Sequence, residues 1–572
     1  MMKTTNKPNK TKKAMKQTMK YLSMAALVVM GVIMTSCEKE TPAAEENNIV
    51  TLTVSVGFSE DESTKALNVD YINKTVVKTF AEGESIAVIY KSGESTLKAV
   101  SDPLPAGDYG KSATFEVALS SPNENSPIRI IYPPIRAKDV ETSAIIDNDD
   151  ATINYSGLGT QSGKLSKVAE NRDFCTFDGA LSGYAMPATA LLTNRLAILS
   201  YTLYDGKGTP DKADDEPITE SITKMSISDG TNSYTITGHD DDGHVYVAIR
   251  PTDSANIELI ATDGTKYYGK SLTGKTYAAG QFYNTTNRMT KLATFTVGIE
   301  KGKKVKGVFA PGNLQATWDG TSWSWDFVAN QWDYIGDAAG NTSINGDGTI
   351  SGTGTVDLFG WVGKSSTWTG AAQYGISNST TNANFGNVSN EAQKSDWGNT
   401  IGYGWRTPTG GSDGEWKYIF NTRVSGSTVN GTDNANYTHA TINTDNGTGG
   451  VNGMILFPDG VTIANGEADS WGNINNISTW ADATKCTSAQ WTALAAKGCV
   501  FLPAAGWRDG TSVDAAGSVG FYWSSTSTMS DFTYDPPVGY AMGIGFDTDE
   551  LEYNGAFQRD GGGSVRLIRV LE

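Results

Sequence analysis

The sequence predicts a mainly β chain with at least two independent cores. Short segments in which apolar and polar residues alternate recur along the first half and are separated by turn residues, as in antiparallel sheets. The 63 glycines, together with many Thr, Ser and Asn, favour β-structure with many turns. All 14 tryptophans lie between Trp318 and Trp523. Because one core would rarely segregate its largest side chains so completely, we place a boundary near residue 295.

The chain begins with a segment that we interpret as an export signal. Residues 1–36 contain seven lysines and no acidic residue, and residues 22–34 are apolar but too short to span a bilayer. The segment ends in MTSC, which resembles a lipoprotein signal box whose cysteine, Cys37, accepts the lipid. We therefore expect a lipoprotein signal peptide over residues 1–36 and a flexible tether over residues 37–47. The alternative is an ordinary signal peptide with a chance cysteine.

The charge of the chain excludes several classes of partner. The formal net charge is −18, and it becomes more negative when the seven lysines of residues 1–36 are removed. A protein of this charge repels polyanions, so nucleic acid and anionic lipid surfaces are poor partners. No later apolar run reaches transmembrane length, and the lipid on Cys37 is the expected contact with the membrane.

The remaining cysteines do not form a disulfide framework. They are Cys175, Cys486 and Cys499. A capping box at Thr487 opens a helix after Cys486, and Gly498 ends that helix just before Cys499. A helix of this length holds the two sulfurs roughly 15 Å apart, which is beyond disulfide reach. We therefore expect buried free thiols.

Residues 48–293 are expected to form antiparallel β-sandwiches. Residues 49–58 (IVTLTVSVGF) alternate between apolar and polar side chains, which is typical of a strand with one buried face. Spacing of this kind without helical periods favours sandwiches. Further strands are expected at residues 86–90, 128–132, 196–204, 245–249 and 257–261.

Several phrases in this part resemble fimbrillin-like pilus lipoproteins, in the same order. The resemblance implies two transthyretin-like β-sandwiches, over residues 48–175 and 176–293. It also implies that other fimbrial subunits are the partners, through exchange of β-strands. The phrases are FAEGESIAV at residues 80–88, IYP at 131–133, the run at 192–199, VYVAIRP at 245–251, and GKTY and AGQFY within 274–283.

Residues 294–572 are expected to form a Trp-rich α+β domain. Its phrases resemble the C-terminal domains of bacterial surface lipoproteins that are related to C-type lectins and formylglycine-generating enzymes. The resemblance implies a C-type-lectin-like fold. In the tail, Val565, Leu567 and Val570 alternate as a core strand, so the C-terminus is not expected to be free. The phrases are GNLQ at residues 312–315, DLFGW at 357–361, WRT at 405–407, GMILFPD at 453–459 and the tail from residue 499.

We predict no enzymatic activity and no cofactor. Residues 410–414 (GGSDG) match a nucleophile elbow, but such an elbow needs a histidine base, and His439 is the only histidine in this part. Ser412 and Glu415 are instead expected to form a capping box for a helix over residues 415–420. A thiol beside apolar strand residues, such as Cys499, has a raised pKa and low reactivity, so the enzymatic side of the resemblance does not carry over.

No metal ligand is predicted, although two acidic segments remain as alternatives. Residues 345–348 (NGDG) have the composition of a turn, and residues 547–552 (DTDELE) that of a solvated hairpin tip. The Glu-Pro-Asn, Gln-Pro-Asp and Trp-Asn-Asp triplets with which C-type lectins hold calcium and sugar do not occur. Zinc has no supporting Cys/His spacing.

These observations predict a lipid-anchored fimbrial subunit of the bacterial outer-membrane surface that mediates adhesion through its C-terminal domain. Trp318, Trp368 and Trp471, which stand in polar surroundings, are the expected ligand contacts, for a glycan or protein that the sequence does not name. Lys65 is a possible processing site, and its cleavage would release the first strand. The C-terminus has no strand to donate, which predicts a position at the fibre tip. The alternative is a surface glycan-binding lipoprotein that enters no fibre.

Overall fold

The chain is mostly β-structure, which confirms the predicted fold class. The computed structural model describes residues 49–58, 68–70, 75–77, 79–107, 109–139, 153, 155–171, 174–363, 366, 368–385, 396–444, 450–528 and 538–571. Within these ranges, none of the helices has both the length and the apolar character needed to cross a membrane.

The first sheet has seven strands. Its elements and those interspersed with them are β1 (Ile49–Phe58), β2 (Asn68–Asp70), β3 (Thr75–Val77), β4 (Ala87–Ser92), β5 (Ser95–Val100), β6 (Ser112–Ser120), β7 (Pro127–Tyr132), β8 (Thr160–Gln161), α1 (Leu165–Asn171), β9 (Cys175–Ala180) and β10 (Ala190–Asn194). The strand order is β5-β4-β7-β9-β10-β1-β6, while β2 pairs with β3 outside the sheet. β1 runs parallel to β10, and the pairs from β5 to β10 are antiparallel.

The second sheet follows without a long connection. Its strands are β11 (Ala197–Asp205), β12 (Glu216–Pro217), β13 (Lys224–Ser228), β14 (Ser233–Ile236), β15 (Val245–Ile249), β16 (Thr252–Thr262), β17 (Tyr267–Tyr277) and β18 (Phe282–Lys291). The order is β12-β11-β18-β17-β16-β13-β14-β8, and β15 also pairs with β11. The strands predicted around residues 86–90, 128–132, 196–204, 245–249 and 257–261 are therefore present.

The two sheets share apolar packing. Val88 and Tyr90 of β4 point into the core of the first sheet, with Val54 and Phe115. Ala87 and Ile89 of the same strand join the core of the second sheet. β4 consequently buries both faces, which explains its uninterrupted apolar run.

The change from the first sheet to the second lies between Asn194 and Ala197. The predicted division between residues 175 and 176 falls at the start of β9, which pairs with β7 of the first sheet. β8 precedes β9 in the sequence, yet it pairs with β14 and so belongs to the second sheet. The two sheets are thus interleaved in sequence, and the division of the chain into domains stays a prediction, as does the transthyretin-like topology.

The third part is divided into small sheets. Its elements are β19 (Phe295–Glu300), β20 (Lys303–Phe309), β21 (Leu314–Trp318), β22 (Trp323–Phe327), α2 (Ala339–Thr342), β23 (Gly354–Val356), β24 (Trp405–Arg406), α3 (Glu415–Lys417), β25 (Thr428–Val429), β26 (Thr432–Asp433), β27 (Tyr437–Asn443), β28 (Gly450–Leu456), β29 (Thr462–Ile463), β30 (Thr484–Thr487), α4 (Ser488–Ala496), β31 (Val500–Pro503), β32 (Trp507–Asp509), β33 (Ser512–Asp514), β34 (Gly520–Ser527), β35 (Tyr540–Phe546), β36 (Leu551–Gln558) and β37 (Ile568–Val570). The longer sheets have the orders β19-β20-β37-β24, β30-β27-β28-β31 and β34-β35-β36.

The predicted helix after Cys486 is present as α4. The Thr487 hydroxyl accepts from the Gln490 backbone N–H, and the Gln490 side chain accepts from the Thr487 N–H, which completes the capping box. Gly498 follows the helix with a φ of +89°, the left-handed conformation of a helix stop. Cys486 and Cys499, on either side, are buried free thiols as predicted.

Candidate functional site

Two of the predicted site residues, Cys37 and Lys65, lie outside the described residues. The lipid attachment and the processing site therefore stay predictions. The structure does describe β1, the strand that cleavage at Lys65 would release. It also describes β37, the last strand, which a fibre subunit would need to have free in order to donate it.

β1 is inserted between two other strands. On one side Val56 pairs with Ala190 and Phe58 with Leu192 of β10, and on the other side lies β6. The Phe58 N–H donates to the carbonyl of Lys111, just before β6, at 3.1 Å. Removal of β1 would therefore leave unpaired backbone groups along both neighbours.

The apolar side chains of β1 fill the first core. Val54, Val56 and Phe58 are at most 5% exposed. The Phe58 ring stacks on Phe80, with 4.6 Å between ring centroids, and meets Tyr132 edge-on. The alternation of residues 49–58 thus places every second side chain of the later half of the strand into one core, as its period of two requires.

The C-terminal strand lies inside its sheet, but it spans only Ile568–Val570. Val565 and Leu567, which were predicted to alternate within it, precede the strand. β37 pairs with β20 on one side, where Ile568 faces Phe309, and with β24 on the other. Val565 and Leu567 are fully buried. The guanidinium of Arg566, also buried, donates to Asn313 and Gln331, which fixes the tail from within the domain. The tail is therefore not available as a free strand.

The three tryptophans predicted as ligand contacts are half-buried, and their ring partners differ. Trp318 lies 5.5 Å from Trp323 across the β21–β22 hairpin. Trp368 meets Phe385 edge-on at 4.8 Å. Trp471 packs beside Phe457 in a different core cluster and donates its indole N–H to a backbone carbonyl. Their role as ligand contacts stays a prediction.

Trp323, which the sequence reasoning missed, forms a half-buried aromatic pair with Trp318, and both rings pack against an apolar core. The turn between them is closed by Asp319, whose carboxylate accepts from the backbone N–H groups of Thr321 and Ser322. These hydrogen bonds lower the pKa of Asp319 to about 2. The signal in the sequence was the Asp-Gly turn between two short Trp-containing strands, which sets a hairpin register. Aromatic pairs of this kind can stack on the apolar face of a sugar.

The predicted capping box of Ser412 and Glu415 is wrong. The Glu415 N–H donates to the Thr409 hydroxyl at 3.1 Å, and the Glu415 carboxylate accepts from the Thr409 N–H at 2.9 Å. The reciprocal pair thus spans six residues, because the glycine-rich loop between them turns back on itself. The Glu415 carboxylate also holds a salt bridge with Arg406.

Ser412 instead lines an open cleft of about 720 Å³ between β19 and the loop before α3. His439 is fully buried elsewhere, and its Nδ1 contacts the backbone carbonyl of Ser478 at 2.7 Å. Burial lowers the pKa of His439. The histidine that a nucleophile elbow at Ser412 would need is therefore engaged away from the cleft.

The environments of the buried thiols and of the two acidic segments are those of structural residues. Burial raises the pKa of Cys486 to about 12 and raises that of Cys499 as well, which suppresses thiolate chemistry. Asp347 and Asp547 each accept hydrogen bonds from backbone N–H groups two residues onward, as turn residues do. In the described ranges, no group of three or more His, Cys, Asp or Glu residues is placed to hold a metal ion.

Comparison with protein-family models gave no match, and comparison with curated proteins gave none. Among solved structures, a fimbrial protein from Bacteroides ovatus is 11% identical, with 46% of this chain and 58% of that chain covered and a TM-score of 0.24. A fimbrial assembly protein from Parabacteroides distasonis is 11% identical, with 46% and 96% covered and a TM-score of 0.25. At these TM-scores the likeness supports no conclusion about fold or function.

Proposed function

We propose that this chain is a non-enzymatic adhesion subunit of a fimbrium on the cell surface, which accepts a strand from another subunit in place of β1. The position of β1 carries the proposal. It is a ten-residue strand at the start of the described chain, inserted between β10 and β6, and it fills a core. A single cut after β1 separates it from the rest of the chain.

The groove left by β1 would strongly favour a replacement. Burial of a Val or Phe side chain contributes about 1.5–3 kcal/mol, so Val54, Val56 and Phe58 together contribute roughly 5–9 kcal/mol. This is comparable with the whole stability of a typical domain. An empty groove also exposes the backbone groups of β10 and β6, which an incoming strand can pair.

Lys65 is the proposed cut site. It is the only basic residue between Lys39 and Lys74, and it follows β1 by seven residues. A protease specific for basic residues would therefore release β1 with a short extension and leave the remaining strands of the first sheet joined.

The C-terminus supports a position at the fibre tip. A subunit in the middle of a fibre accepts one strand and donates another, whereas β37 is paired on both sides within its own sheet. An acceptor without a donor strand ends a fibre. The Trp-rich part, which we propose to be lectin-like, would then be presented at the end farthest from the cell, and Cys37 would carry the lipid before incorporation.

The experiment compares Lys65→Gln with Lys74→Gln as the matched control, both expressed in a fimbriated host. We expect mass spectrometry to find the amino terminus after residue 65 in the wild type and in Lys74→Gln, but not in Lys65→Gln. Immunogold labelling should mark filament ends in the first two only. Labels along the shaft, or equal incorporation of the uncleaved variant, would refute the proposal.

The Trp318–Trp323 pair favours a second function, that of a surface glycan-binding lipoprotein outside any fibre. The pair is half-buried, so part of its aromatic surface is accessible without strand exchange. In that case immunogold would label the envelope alone, in the wild type as in both variants.

A further inference from the structure

A second cleft, of about 530 Å³, lies where the second sheet meets the Trp-rich part. One wall is formed by the adjoining ends of β17 and β18, and the other by the end of α4 and the loop at residues 458–461. The backbone N–H of Asp459 donates at 2.8 Å to the carbonyl of Thr294, in the segment that leads from β18 to β19. A volume of this size is within the range of ligand-binding sites.

The cleft is lined by four lysines and a single carboxylate. The lysines are Lys266, Lys291, Lys306 and Lys497, and the carboxylate belongs to Asp459. The chain as a whole has a formal net charge of −18, so the positive charge of the cleft lining is opposite in sign to the charge of the protein. The lining of the cleft thus carries more cationic than anionic side chains.

The charge of the Asp459 carboxylate does not cancel the charges of Lys266 and Lys291, because Lys306 and Arg423 already neutralise it. Asp459 accepts from Lys306 at 2.6 Å, from Thr296 at 2.6 Å and from the buried Arg423 at 2.9 Å. Lys497 is paired with Glu467. Lys266 and Lys291 are exposed, and neither has a salt bridge among the described residues, although Lys266 is near enough to Asp263 to contribute to the lowered pKa of that carboxyl.

Half-buried apolar groups line the cleft together with the lysines. Tyr267 and Leu292, each adjacent in sequence to one of the free lysines, face the cleft together with Val461. A compact inorganic ion would use one or two of the lysines and none of the apolar surface. An extended ligand with spaced acidic groups and apolar ring faces uses both.

We propose that this cleft binds an acidic polysaccharide, with Lys266 and Lys291 contacting its sulfate or carboxylate groups and Tyr267 packing against a sugar ring. Binding at this site is separate from the strand exchange proposed above. The contacting groups all belong to the second sheet, while Val461 and Lys497 of the Trp-rich part form the opposite wall of the cleft.

The test is a titration calorimetry experiment on the full chain purified in detergent. The probes are heparin for sulfates, polygalacturonate for carboxylates and dextran as the neutral control. We expect heparin or polygalacturonate, or both, to bind, and dextran not to bind. The binding should weaken as salt is added. Whichever acidic probe binds identifies the acidic group.

The decisive variant is Lys266→Gln with Lys291→Gln. Loss of two cation contacts should weaken binding about tenfold or more. The matched control is Lys98→Gln with Lys275→Gln, which removes two exposed lysines outside the cleft and should bind as the wild type. Circular dichroism checks that each variant is folded. Absence of binding to both acidic probes, an unchanged affinity in the cleft variant or an equal loss in the control would overturn the inference.

Discussion

Two aspartates of the Trp-rich part, the buried Asp357 and the half-buried Asp459, should shift stability with pH in opposite directions. Asp357 is 2% exposed, and burial raises its pKa from the ordinary value of 3.8 to about 6, against the hydrogen bonds from Asn341 and the Ile335 N–H. Burial also acts on Asp459, but the hydrogen bonds from Lys306 and Thr296 outweigh it and lower its pKa.

The direction of each pH dependence is set by whether the folded or the unfolded chain binds the proton of the aspartate more tightly. Folded Asp357 holds its proton more tightly than the unfolded chain does, so its contribution is largest below about pH 4 and is lost as the pH rises to about 6. The loss amounts to about 3 kcal/mol. Asp459 contributes stability above the ordinary pKa of 3.8, and this is lost as the pH falls.

The assay is urea unfolding followed by tryptophan fluorescence at pH 4, 5, 6 and 7, for the wild type, Asp357→Asn and Asp459→Asn. The free-energy difference between wild type and Asp357→Asn should fall by about 2.5 kcal/mol from pH 4 to pH 7, because part of the loss already occurs below pH 4. Any constant cost of the amide cancels in this comparison. The difference for Asp459→Asn should stay nearly constant over this range, because the contribution of Asp459 is lost only as the pH falls below the ordinary pKa of 3.8. A difference for Asp357→Asn that is constant or rises with pH would refute the reasoning.

Three further predictions concern the anchor, the cores and the helix stop. Cys37→Ser should leave an uncleaved precursor that carries no labelled palmitate. Normal palmitate labelling of this variant would show that Cys37 is not the lipid attachment site. Because all 14 tryptophans lie in residues 318–523, fluorescence should report on that part alone, and its melting curve should differ from that of circular dichroism, while coincident curves in every buffer would indicate one fused core. Gly498→Ala should destabilise by more than the roughly 1–2 kcal/mol of its left-handed conformation, since the new Cβ would lie 2.0 Å from that of Ala293. Gly274→Ala, which has a positive φ in open space, is the control for urea unfolding.

Features set by neighbouring residues could be predicted from the sequence. The capping box of Thr487 and Gln490 and the stop at Gly498 depend on contacts within one helix, and both are present. The burial of the tail could be predicted from its apolar residues Val565, Leu567 and Ile568, although the strand itself begins only at Ile568. In each case the local pattern and the tertiary contacts favour the same structure.

Features set by distant residues could not be predicted. The interleaving of β8 and β9 between the two sheets depends on pairing across the chain, which no local pattern encodes. The correct partner of Glu415 was Thr409, because the loop geometry and not the sequence spacing brings them together. The basic cleft likewise forms only when Lys291 and Lys497, some two hundred residues apart in the sequence, line one surface.

Replacement of β1 is the central claim, and a peptide can test it without knowledge of the natural partner. The chain is given a specific protease site in place of residues 62–66, is cleaved, and is mixed with a fluorescent peptide of residues 49–58 under mild denaturant, followed by dilution. Fluorescence anisotropy then measures uptake by cleaved and by intact chain.

The cleaved chain should take up one peptide per molecule, and the intact chain should take up none. A peptide with Val54→Asp and Val56→Asp should fail to bind, because it would bury two carboxylates in the first core. Equal binding to cleaved and intact chain, or no binding to a cleaved chain that remains folded, would contradict the account.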